Sequence, residues 1–192
     1  MRLFYAAYLS RENMQAYQAL VDQLIEEVPG TLRSVPHQTQ HLTLAFLGEI
    51  AESDVDICSS VLEAVERFHA FRFSLGPPTI LMGRGNPRLI RASVTEGSEQ
   101  VSEIQRVLIS GVSERLLSIN SRPKPPHVTV ARFNKKAHRP QARQVEDALE
   151  RHLGPPLPGE DHFSTVHLVK SSLTQSGPIY ETVKEVRLSS DH

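Results

Sequence analysis

The chain predicts an α+β fold: a bilobal molecule whose two pseudo-symmetric α/β lobes set antiparallel sheets facing across a central cleft. Three observations lead there. Short apolar runs alternate with amphipathic helical stretches along all 192 residues. The order strand–helix–strand–helix–strands is followed by helix–strand–helix–strands, with no linker between the halves. The tetrad His–apolar–Thr–apolar is written twice, at His41–Leu44 and His127–Val130, 86 positions apart. One two-lobed domain over residues 1–192 is the economical reading.

Residues 2–9, RLFYAAYL, suit a buried strand. Ser10 caps a helix over about 11–27, in which Met14, Tyr17, Leu20, Val21, Leu24 and Ile25 recur at three- and four-residue steps, and Pro29-Gly30 ends it. A polar loop through Pro36 and His37 leads to a strand at 41–47. Ser53 or Asp54 starts a second helix to about Phe68, with Val55, Cys58, Val61, Leu62 and Val65 on one face. Short strands follow at 71–75 and 78–82, then a turn at Gly83–Pro87 and a strand at 88–94. The helical period returns over 98–117 through Val101, Ile104, Val107, Leu108 and Val112. Pro123, Pro125 and Pro126 hold an extended approach to the strand at 127–133. A helix near 140–151, a Pro/Gly-rich loop at 154–159 and strands near 162–170 and 179–187, joined around Gly177-Pro178, complete the order.

Composition narrows the function classes. No apolar run approaches the roughly 20 residues of a membrane helix, and the opening residues lack the pattern of a signal peptide. The single cysteine, Cys58, excludes an internal disulfide. A cytoplasmic protein is expected, without membrane association and monomeric. Net charge is -1, but every charged residue between Arg115 and Val145 is basic, and the second tetrad lies inside that run. An anionic substrate fits this placement.

Strand alternation places His41, Thr43 and Ala45 on one face and Leu42, Leu44 and Phe46 on the other. His127, Thr129 and Ala131 repeat this against Val128 and Val130. Each Thr lies about 7 Å from its His along the strand, so one small anion can touch both. Two chance occurrences of the tetrad are expected on the order of once in a thousand such chains. Two imidazoles facing one anion suit acid–base phosphoryl chemistry. An ordinary pKa near 6.5 gives each ring access to both protonation states. One takes a proton from water and the other gives one to the leaving oxygen, while the threonines donate to the non-bridging oxygens. No metal or other cofactor is needed for these steps. A cyclic phosphate is a fitting substrate, because its poor alkoxide leaving group needs a proton.

The residues His41-Leu42-Thr43-Leu44 and His127-Val128-Thr129-Val130 resemble the paired motifs of the two-histidine phosphoesterases, and among them the RNA 2′,3′-cyclic phosphodiesterases, also called 2′-5′ RNA ligase-like proteins. MRLFYAAYL, FLGE at 46–49, PHVTVARF and LVKSSLTQSGPIYETV at 168–183 extend the likeness over nearly the whole chain. The resemblance implies a bilobal fold with a central groove, His41 as proton donor, His127 as proton acceptor, and Thr43 and Thr129 on the phosphate. Its implied reaction opens an RNA 2′,3′-cyclic phosphate end to a 2′-phosphomonoester, and some members join tRNA halves through a 2′-5′ linkage. Arg132 resembles a family arginine that contacts phosphate, although strict alternation puts it on the Val128/Val130 face unless the strand bends near Ala131. Val169 stands where relatives often carry an aromatic residue. Base stacking then falls to Phe46, Phe133 or Tyr180.

Alternatives share or replace this site. Substrates could instead be 2′-5′-linked oligonucleotides or small cyclic nucleotide phosphates, with 2′-5′ ligation as the reverse sense. An RNA-end-binding module would bind in a salt-sensitive manner without turnover. A metallohydrolase would need His37 and His41 as ligands, but their i, i+4 spacing pairs side chains on a helix rather than on a loop and strand.

Overall fold

The structure, a computed structural model, describes residues 1–116, 121–152, 160–174 and 177–190. Its first strand, β1 (Arg2–Tyr8), is covered on both faces: Leu3, Tyr5 and Ala7 join the main core, while Phe4 and Ala6 join a small second cluster. That double burial explains its unbroken apolar run. Helix α1 (Arg11–Glu27) starts where expected, with the Ser10 hydroxyl accepting from the Asn13 N–H at 3.3 Å. Asp161 adds a second clamp by accepting from the Ser10 N–H at 2.7 Å and the Asn13 side chain at 3.0 Å.

A short strand, β2 (Leu32–Ser34), and a 3₁₀ turn at His37–Thr39 occupy the expected loop. The first motif strand is β3 (His41–Glu49). The second helix is shorter than its periodicity predicts: α2 spans Val55–Leu62, and Glu63–Arg67 tighten to 3₁₀. Cys58 is fully buried there. Then come β4 (Phe71–Ser74), β5 (Thr79–Met82), β6 (Pro87–Ser93), α3 (Ser98–Arg115), the second motif strand β7 (His127–Phe133) and α4 (Arg139–His152). The expected loop at 154–159 lies outside the described residues. The strand predicted near 162–170 is two strands, β8 (Glu160–Phe163) and β9 (Thr165–Thr174), followed by β10 (Gly177–Arg187).

The sheet order is β10-β9-β1-β3-β7-β6-β5, with β2 also on β7, while β4 and β8 form a separate pair. All strand pairs within both sheets are antiparallel. Two half-sheets, β10-β9-β1-β3 and β7-β6-β5 with β2, thus meet at the two motif strands. They share one register pair, Leu42 with Val128, and part on either side of it. The units β1–α1–β3 and β6–α3–β7 repeat one another across this seam.

The helices cross over. Helix α1 packs against β2, β7 and α4, beneath the second half, whereas α3 packs against β3 and α2, beneath the first. Gly111 on α3 permits the close approach to α2, since a Cβ there would meet a Val61 methyl at 2.9 Å. Apolar residues of both halves consequently form one core, in which Leu42, Val128, Val130 and Ile90 are fully buried. No described helix is long and apolar enough to cross a membrane.

Candidate active site

Both motif strands bury their apolar letters and leave His and Thr partly open on the opposite face. The antiparallel pair Leu42–Val128 fixes what lies beside it. One step along each strand, His41 comes toward Thr129 and Thr43 toward His127, all four on the face away from the core. The seam therefore brings the four motif residues together, as the repeat implies.

The two rings are oriented by the same device. His41 Nδ1 lies 2.7 Å from the Thr39 carbonyl oxygen, and His127 Nδ1 lies 2.8 Å from that of Pro125. A carbonyl only accepts, so each Nδ1 carries a proton and donates it, leaving Nε2 for chemistry. Each clamp reaches two residues back. For His41 it is the 3₁₀ turn before β3, and for His127 it is the proline-held approach to β7. Gln105 on α3, 1% exposed, donates to the Thr43 carbonyl at 3.4 Å and so ties the first motif strand to the helix beneath it.

Strict alternation fails at the same place in both strands, and the failure builds the site. Between Tyr5/Ala45 and Ala6/Thr43 the β1–β3 register shifts by one, leaving Leu44 extra. Between Ile90/Ala131 and Arg91/Thr129 the β6–β7 register shifts likewise, leaving Val130 extra. These bulges reverse the pleat phase. Ala45 and Ala131 turn into the core, while Phe46 and Arg132, each five residues after its histidine, turn out. This corrects the expected placing of Ala45 and Ala131 beside the histidines and of Phe46 opposite them, and it supplies the bend that Arg132 requires. On that exposed face Arg132 is near enough to the first half for its charge to lower the pKa of both His41 and Tyr180.

An aromatic bed surrounds His41. Ring centroids lie 4.9 Å away for Phe4, 5.4 Å for Tyr180 and 6.2 Å for Tyr8. Phe4 also packs against Phe46 at 5.9 Å and Tyr180 at 5.1 Å. Val169, fully buried, lies beneath with Phe4 and Ala6, so an aliphatic side chain floors this bed. Phe46 is 49% exposed, and Lys124 Nζ lies 5.7 Å from its ring centroid. Phe133 does not reach the cleft; it is buried in the main core opposite Leu32. Burial pushes the His41 pKa down, the Thr39 carbonyl opposes this, and the Arg132 charge lowers it further.

The basic run divides once folded. Lys124 and Arg132 belong to the cleft, whereas Arg115 donates to the Ser60 hydroxyl at 2.8 Å and Arg139 to the Gly85 carbonyl at 3.1 Å. Phe4, Tyr8 and Gln105 escaped the sequence reading because they look like ordinary strand and helix residues. For Tyr8 the one available signal was a phenol at the end of an otherwise apolar strand. Among the described residues no three His, Cys, Asp or Glu side chains gather as a metal-binding group.

Paired imidazoles of fixed tautomer, each with a threonine and set on adjoining strands of a two-halved sheet, form the arrangement that acid–base chemistry on a phosphate ester requires. Comparison identifies the family. The model of the 2′-5′ RNA ligase superfamily matches residues 9–174, and the chain belongs to this family. A Thermus thermophilus protein named RNA 2′,3′-cyclic phosphodiesterase is 33% identical, covering 100% of this chain and 92% of the relative. Another of that name, from Aeropyrum pernix, is 29% identical over 83% of this chain and 88% of its own length. A crystal structure of a Thermus thermophilus protein superposes with TM-score 0.76 at 27% identity over the whole of both chains. E. coli LigT complexed with 3′-AMP shares the fold, with TM-score 0.72 at 21% identity over 98% of each chain.

Proposed function

We propose that this protein is a hydrolase of RNA 2′,3′-cyclic phosphate ends, acting through His41 and His127. The observation that carries the reading is the matched clamping of two Nδ1 atoms on strands that meet at Leu42–Val128. The activity carried in the names of the relatives supports the same substrate class.

The steps follow from the geometry. His127 Nε2 accepts a proton from a water molecule as the water oxygen bonds to phosphorus. The P–O3′ bond breaks, and His41 Nε2–H gives its proton to O3′, leaving a 2′-phosphomonoester. Exchange with solvent then returns the proton from His127 and reloads His41. Thr43, Thr129 and Arg132 donate to the non-bridging oxygens as they gain charge. Phe46 and Tyr180 offer faces to the terminal nucleoside.

The depressed pKa of His41 must be reconciled with its role as acid. Burial and Arg132 disfavour its cation in the free protein. An anionic phosphate between ring and guanidinium offsets the Arg132 charge and favours the protonated imidazole. Substrate thereby loads its own acid, while His127 stands ready as base.

One chain supplies both histidines, which supports a monomer as the working form. The crossed helices support one two-lobed unit over residues 1–192, and cytoplasmic residence accords with an RNA substrate. The test is product identity. A dinucleotide with a 2′,3′-cyclic end is expected to yield the 2′-phosphate, identified by chromatography and phosphorus NMR. A 3′-phosphate would reverse the leaving oxygen and the acid and base roles, and no turnover would refute the assignment.

A further inference from the structure

We infer that Arg91 holds the phosphodiester next to the cyclic end, so that the cleft recognises a polynucleotide terminus rather than a lone cyclic nucleotide. This rests on the functional reading above.

Strand β6 runs along the outer side of β7. Its Ile90 and Ala92 are fully buried in the core, so Leu89, Arg91 and Ser93 take the cleft face. Register places Ser93 beside His127 and Arg91 beside Thr129, with Thr79 of β5 on the far side of Arg91. On both neighbouring strands Arg91 is thus flanked by a hydroxyl-bearing residue. Its Nε is shielded from solvent and has no hydrogen-bond partner, and no carboxylate among the described residues pairs with it. A buried donor left unpaired is unfavourable, and here it is the Nε of a half-buried arginine. A phosphate offers the opposite charge and the paired oxygens that match a guanidinium. The surroundings favour an anion further: Arg33 of β2 pairs with Arg132 of β7 on the same face, and β2, β5, β6 and β7 contain no Asp or Glu.

Position separates this anion from the reacting one. The two motifs and Arg132 bracket the phosphorus at the β3–β7 seam. Arg91 lies one strand beyond, about 4.8 Å further out, with Thr129 between it and His41. A second phosphate covalently linked to the first fits there, and a mononucleoside 2′,3′-cyclic phosphate has none to offer.

The experiment compares wild type, Arg91→Ala and Arg91→Lys on a cyclic-ended trinucleotide and on the mononucleoside 2′,3′-cyclic phosphate. A parallel arm measures, across a salt series, binding of a fluorescent trinucleotide ended by a 2′-phosphate. For Arg91→Ala the preference for trinucleotide over mononucleoside in kcat/KM is expected to fall roughly tenfold, and the slope of log Kd on log salt to shrink by about 0.7. Arg91→Lys should retain the slope. If the alanine variant does not fold, Arg91→Gln takes its place under the same criteria. An unchanged slope, or equal losses on both substrates, overturns the proposal. Absence of hydrolysis by wild type would sink the functional reading instead, and the binding arm would still decide on Arg91.

Discussion

Removing the Arg132 guanidinium should do two things at once, in opposite directions. Its charge lowers the His41 pKa in the free protein, so Arg132→Ala should let that pKa rise. It should remain below the ordinary histidine value, because burial is the larger cause and stays. Catalysis moves the other way. A hydrogen bond to a charged group contributes about 1.5–3 kcal/mol, so losing one from the phosphate should lower kcat/KM roughly 10- to 150-fold. Arg132→Lys should restore much of the shift in His41 but less of the rate, since an ammonium keeps the charge without the bidentate fork. The assay pairs an NMR titration of the His41 ring with steady-state kinetics on one cyclic-ended dinucleotide. A His41 pKa unmoved by Arg132→Ala would refute the reasoning, for it would mean that the β7 bulge does not turn this side chain across the seam.

The remaining expectations concern proton inventory and the seam itself. His41 must be protonated to act as acid, and only the free protein holds its pKa down. The high-pH falling limb of kcat should therefore lie at higher pH than that of kcat/KM, and coincident limbs would contradict loading by substrate. In the folded protein the lowered pKa of His41 also means that the unfolded chain binds more protons. Stability should fall as pH drops below the unfolded value of about 6.5, flatten below the folded value, and lose this dependence in part in His41→Ala, followed by urea melts. Leu42→Ala empties a fully buried site at the one shared register pair and should cost about 2–5 kcal/mol in the same melts. Turnover should survive EDTA, because the described steps use side-chain protons only.

How much of this was legible is best judged residue by residue. The His–x–Thr–x tetrads were readable because alternation is strict over those four positions, and the burial of Leu42, Leu44, Val128 and Val130 follows it. The bulges were not. Leu44-Ala45 and Val130-Ala131 are apolar on both sides of the slip, so nothing in their letters marks where the phase reverses. Only the partner strands, β1 and β6, reveal it. Resemblance alone points to Arg132, and strict alternation aims Phe46 away from the histidines. Arg91 stayed invisible because it is one of two arginines in a strand that otherwise reads as core, and its neighbour Thr129 is 38 positions away. The helix periods of α1 and α3 were plain, yet which half each covers depends on crossings that periodicity cannot encode. Short β2 and the break between β8 and β9 were lost for a related reason, since three or four residues carry too little pattern to separate a strand from its surroundings.

The central claim is that the imidazoles of residues 41 and 127 act on one phosphorus atom as a single device. Its most direct measure is the kcat of His41→Ala, His127→Ala and the double variant on a cyclic-ended dinucleotide, with thermal melts confirming folding. Each single change is expected to cost about 10²- to 10⁴-fold, and the double little more than the worse single, because neither proton transfer is useful without the other. Near-wild-type turnover in either single variant, or losses that multiply in the double, would show that the rings do not work together.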